Sequence, residues 1–167
     1  MKPNTPQKSF TLIEILVYIG VLSLIIITLA SFFLWLGRST TKARVMREVL
    51  DNSRRAMETI TYEIRKAKSI SPSSTVTHLY LENTTNSEFY LCGTASTTLC
   101  LKEGTDAPIY LTSDKVEVTE LTFTQIATVT TTPSVQIELK IDYKNPGNIT
   151  EYQASISITS TASLRTY

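Results

Sequence analysis

From Ile15 to Gly37 the chain runs for 23 residues without a charged side chain. As an α-helix rising ~1.5 Å per residue, that run exceeds the ~30 Å hydrocarbon core of a bilayer. It can span a membrane. At its entrance stands Glu14, inside an apolar pattern that begins at Phe10. A carboxylate held at mid-bilayer costs ~2.5 kcal/mol or more, so Glu14 needs either a partner or an exit to the interface. Its plain reading is a headgroup-zone carboxylate of an ordinary signal anchor. A secretory signal cut near Thr28 and Ala30 is disfavoured, because the apolar run is longer than the usual ~7–15 residues and Glu14 lies within it.

The ordered string Lys8-Ser9-Phe10-Thr11-Leu12-Ile13-Glu14, followed by a long apolar helix, resembles the cleavage and methylation segment of type IV prepilins and type II secretion pseudopilins. The resemblance implies a short leader that stays cytoplasmic, a cut by prepilin peptidase between Ser9 and Phe10, and N-methylation of Phe10. It makes Glu14 the fifth mature residue and a subunit-assembly residue. It also implies other pilin or pseudopilin subunits and an inner-membrane assembly platform as partners. One departure is Ser9, where the family usually has Gly before the cut. The stretch from Arg54 to Ala67 also resembles, more loosely, the matching segment of minor pilins and J-type pseudopilins.

With the first 37 residues given to leader and span, the 167-residue chain has room for one modest further domain. Its net charge of +1 conceals a division along the chain. Residues 38–68 hold nine Lys or Arg against four Asp or Glu, while residues 69–167 hold five against ten. The basic segment is expected to meet acidic surface on its own domain or on neighbouring subunits. No recognition fold or aromatic interleaving accompanies the basic run, so no nucleic acid contact is predicted. Cys92 and Cys100 are two cysteines at short spacing in the part that would be extracytoplasmic. That favours a disulfide over a metal site, for which the single His78 supplies too few further ligands. Two free thiols in a reducing compartment are the alternative.

The leader carries Lys2 and Lys8 and reads as a cytoplasmic tail, although Arg38, Lys42, Arg44 and Arg47 beyond the span argue for the opposite orientation by count. Long domains translocate largely regardless of charge, and the cysteine pair fits an oxidising side, so the amino terminus is placed inside. Trp35, near the outer end of the span, reads as an interfacial anchor. Past Gly37 the helical pattern continues. Met46, Val49, Leu50, Ala56, Met57, Ile60, Ile64 and Ala67 recur at helical spacing, and no Pro or Gly intervenes before Pro72. One helix is therefore expected from about Phe10 to Lys68, apolar all round at first and amphipathic later.

After the Pro72 break the period becomes two. Leu79 and Leu81, Phe89 and Leu91, Leu99 and Leu101, then Val135 to Ile141 and Ala154 to Ile158 alternate with other residues, giving an antiparallel sheet that the amphipathic helix must cover. Between Val118 and Leu121 the apolar parity shifts by one, which needs a bulge or turn near Thr119 and Glu120. Asn145-Pro146-Gly147-Asn148 suits a type II turn joining the two cleanest strands. A Cys92–Cys100 pair directly opposed across a hairpin would set Leu91 against Leu101. The cystine would then lie on the face away from the core. His78, opposite the Leu79 face, reads as a solvated strand histidine.

The expected fold is α+β, a long amino-terminal helix packed on an antiparallel β-sheet in the pilin-like manner. The chain divides into a cytoplasmic leader (residues 1–9), a transmembrane or filament-core half-helix (10–37), an amphipathic half-helix (38–68) and a β domain (69–167). No nucleotide loop, zinc pattern or nucleophile elbow is present, so no catalytic, cofactor or metal residues are expected. The resemblance implies a single-pass inner-membrane protein and structural subunit of a type IV pilus, type II secretion or competence filament. The competing expectation is an uncleaved, signal-anchored extracytoplasmic binding domain.

Overall fold

The computed structural model describes residues 11–95, 97–126 and 133–165. Helix α1, Leu12–Lys66, is followed by β1 (Ser69–Ile70), β2 (Leu79–Glu82), β3 (Ser87–Cys92), β4 (Thr98–Glu103), β5 (Ile109–Tyr110), β6 (Val116–Ile126) and β7 (Ser134–Tyr143). A 3-10 turn, Thr150–Tyr152, leads into β8 (Ser155–Ser163). The expected α+β arrangement, one long amino-terminal helix packed on antiparallel strands, is present. The chain separates into two units, Met1–Thr40 and Thr41–Tyr167, and α1 contributes to both.

In the first unit, the apolar residues from Leu12 to Leu36 are exposed. This stretch is long and apolar enough to cross a membrane. Its hydroxyls are satisfied within the helix, as a hydrocarbon environment demands: Ser23 donates to the Gly20 carbonyl (2.8 Å), Thr28 to Ile25 (2.8 Å) and Ser31 to Ile27 (2.9 Å).

In the second unit, α1 buries one stripe: Val45, Val49, Asn52, Ser53, Ala56, Met57, Ile60, Glu63 and Ile64. Steps of three and four keep these residues on one face. That face packs into a single core with Leu79, Leu81, Phe89, Leu99 and Leu101 and with the inward residues of β6 and β7. Each large aliphatic side chain so buried contributes roughly 1.5–3 kcal/mol. The stripe is less apolar than expected. Met46 lies outside it and is exposed, while Asn52, Ser53 and Glu63 lie within it.

The strands form two sheets rather than one, a five-stranded meander β1 to β5 and a three-stranded meander β6 to β8. They are joined at the outer side of β6, where the Val118 and Phe123 amides each donate to a loop carbonyl of the first sheet, Thr97 and Val76, both at 2.7 Å. The parity shift falls where the sequence placed it, as a register break between Val118 and Glu120 against β7. Two local expectations are corrected. The Asn145–Asn148 turn is not type II, because its left-handed residue is Asn148 (φ 47°) and not Gly147. The Asn145 side chain causes this by bonding both backbone groups of Ile149, at 2.8 and 2.9 Å, which curls the chain one residue later.

The second correction concerns the cysteine hairpin. Cys92 pairs with Thr98, Leu91 with Leu99 and Tyr90 with Cys100, a register two residues tighter than expected. Gly93, at φ 87°, turns the chain immediately after Cys92, so the ladder continues closer to the loop. The disulfide Cys92–Cys100 is nevertheless present, bridging a diagonal with Cα atoms 5.9 Å apart. A slip of two preserves the faces, so Phe89 and Leu101 remain inside. Cys100 lies on the other face yet is fully buried.

Candidate functional site

The first turn of α1 holds the feature with the clearest chemical demand. Thr11 precedes the helix, and its hydroxyl and carbonyl oxygens accept from the Glu14 amide at 3.4 and 3.1 Å. Thr-x-x-Glu at a helix start is the sequence of a capping box, in which the threonine satisfies an orphan amide and the acid favours the positive end of the helix. Glu14 is partly buried, and the Tyr18 hydroxyl one turn on donates to its Oε1 at 3.5 Å. The carboxylate at the mouth of the apolar stretch therefore has a local partner. The sequence reading missed both interactions, although the Thr-x-x-Glu spacing was a visible signal for the cap. Ser9 and Phe10, the expected cleavage and methylation residues, lie outside the described residues.

A second arrangement fixes α1 to the first sheet. Glu63 is only 4% exposed, and it accepts from the Ser87 hydroxyl at 3.1 Å and the Asn83 amide at 3.4 Å, with Lys66 Nζ at 3.6 Å. About three turns earlier, Asn52 Oδ1 accepts from the Ser113 amide at 2.8 Å, and the Glu48 carboxylate meets the Ser113 hydroxyl (3.3 Å) and Lys115 (4.0 Å). In Glu48–Lys115 the helix supplies the acid and the turn before β6 supplies the base. That sense is opposite to a meeting of the basic helix with acidic surface on its own domain. The arginines Arg44, Arg47, Arg54, Arg55 and Arg65 are instead exposed.

The chain matches no protein-family model, no curated protein and no solved structure. What the residues can do is therefore read from their own surroundings.

On the outer face of the first sheet, His78 is half-buried rather than fully solvated, its side chain 28% exposed. Its ring stacks on Tyr80 and Tyr90, with centroids 4.1 and 4.9 Å apart, and its Nε2 is buried without a hydrogen-bond partner. Glu88 Oε2 lies 3.8 Å away. Burial lowers the imidazole below its usual pKa and outweighs the raising influence of the Glu88 carboxylate beside it. The contact is an ion pair only after protonation, and burial disfavours that protonation. Among the described residues no group of three His, Cys, Asp or Glu side chains is placed to hold a metal ion. Glu14, the cystine and the His78 cluster are separate features. The cystine and the cluster belong to the second unit, Glu14 to the first.

Proposed function

We propose that this chain is a membrane-anchored structural subunit, a minor pilin or pseudopilin, assembled through its amino-terminal helix into a type IV pilus, type II secretion or competence filament. The observation that carries the reading is the apolar half of α1. Its side chains from Leu12 to Leu36 lie exposed, with Glu14 at one end, so lipid or neighbouring helices must cover them. In this reading prepilin peptidase cuts between Ser9 and Phe10, Phe10 is N-methylated, and Glu14 of one subunit accepts the freed amino group of the next. Two unit charges at ~4 Å attract by ~4 kcal/mol at an effective dielectric of 20, before desolvation is subtracted. The pairing can set axial register even with small net stability. The disulfide supports an oxidising side for the β-rich unit, and in this reading the amino terminus is cytoplasmic and the anchor lies in the inner membrane.

The alternative, an uncleaved signal-anchored binding domain, is favoured by the first turn of α1, where the Glu14 carboxylate lies at the positive helix end and accepts from Tyr18 without a neighbouring subunit. The mass of the membrane-extracted protein separates the two. The filament reading expects loss of residues 1–9 and gain of one methyl group. A chain that still begins at Met1 in cells with active prepilin peptidase leaves only the anchored domain.

A further inference from the structure

Strand β8 ends the second sheet with an outer edge that no strand of the described residues pairs. Free edges are templates for further pairing, and proteins usually blunt them with charges, prolines, bulges or brevity. None of these devices is used here. The nine residues Ser155–Ser163 read SISITSTAS, with no charge and no proline, and their register against β7 is unbroken from Ser155 to Ser163. The other sheet edges differ: β1 and β5 are two residues long, and β6 is occupied by the two loop hydrogen bonds already described.

The inward face of β8 is also incompletely covered. Ile137, Leu139 and Ile141 of β7 are buried, but their partners Ser160, Ile158 and Ile156 are only half-buried. Beside them lies a groove of about 670 Å³ between β8 and α1, bordered by Met57, Tyr62 and Ser160. Its charged border consists of Arg65, Lys66 and Arg165 against the single acid Glu58.

We infer that β8 is a strand-addition site for an extended, acid-bearing segment of another protein. The segment continues the three-stranded sheet through main-chain hydrogen bonds, lays alternate apolar side chains over Met57 and Tyr62, and sets a carboxylate against Arg65. Main-chain pairing supplies affinity and the alternate side chains supply selectivity, as in other strand-addition complexes. The cationic border selects the partner's charge. This inference does not depend on filament assembly or on cleavage at Ser9.

The test uses the full-length oxidised protein in detergent micelles. The probe is a nine-residue peptide of alternating isoleucine and threonine with a glutamate at each end, and its control carries lysines instead. The glutamate peptide is expected to slow hydrogen exchange across Ser155–Ser163 and to bind at least tenfold more tightly than the lysine peptide. In Arg65→Glu, an exposed position whose change leaves the core intact, the preference should shrink or reverse. Equal binding of the two peptides, or unchanged exchange of β8 with both, overturns the inference. Protection of β8 that rises with protein concentration alone also overturns it, by making a second copy the occupant.

Discussion

At Glu14 the proposed filament role turns on charge, whereas its position in the first turn of the helix does not. A glutamine can take the N3 position of a capping box as well as a glutamate can, but it cannot form an ion pair with an amino group. In the filament reading, Glu14→Gln and Glu14→Ala should both insert in membranes at least as well as the parent, because each removes a charge, and both should copurify poorly with the filament. Normal copurification of Glu14→Gln, measured by blotting sheared filaments, would reduce the residue to a cap. Glu63 poses the converse case, a buried acid whose acceptors serve packing. Glu63→Ala leaves the Ser87 hydroxyl and the Asn83 amide without their acceptor, and a buried group so stranded costs about 1–3 kcal/mol, readable as a lower urea midpoint. At His78 the folded state holds the pKa below the ordinary value of 6.5. The unfolded chain therefore binds the proton first, and stability falls as pH drops below about 6.5, levelling off once the folded imidazole is also protonated. His78→Phe keeps the stack without titrating. Its urea midpoint should lose less than the parent's between pH 7 and pH 5.

Among the elements, the cysteine hairpin shows what alternation can and cannot specify. Parity assigns each residue to a face, and it assigned Phe89, Leu99 and Leu101 correctly. It cannot distinguish registers that differ by two, because every side chain stays on its face. The left-handed turn at Gly93 made the choice, and a glycine after a cysteine does not declare its φ in sequence. The bulge at Val118 and Glu120 was legible because a slip of one does change faces. Helix α1 was legible from its spacing, while Glu63 was hidden because a stripe is recognised by its apolar members. The division into two sheets left no local mark, since the segment between β5 and β6 looks the same whether or not the two strands pair. With a sequence separation of 8, the disulfide should contribute about 2.5 kcal/mol in the chain-entropy model. Replacing both cysteines by serine should lower the denaturation midpoint by a corresponding amount and leave the hydrogen-exchange pattern of β6 to β8 unchanged.

For the whole molecule, the buried core runs only from Val45 to Leu164, and the apolar stretch before Thr40 adds nothing to it. A chain beginning at Thr41 should therefore remain in solution without detergent and unfold at a urea midpoint close to that of the full-length protein. A large drop would mean that the first unit stabilises the second. Strand order within each sheet has a consequence for how such a chain is made. Both sheets are simple meanders, so within each sheet every strand after the first pairs with the one synthesised just before it. For a polypeptide that crosses a membrane with its amino end anchored, the strands reach the far side in the order of their pairing. No early strand waits for a distant late one, and the cystine can close while β6 to β8 are still in transit. Of the described strands β8 arrives last, and it finishes the ladder with its far edge turned to whatever the compartment contains.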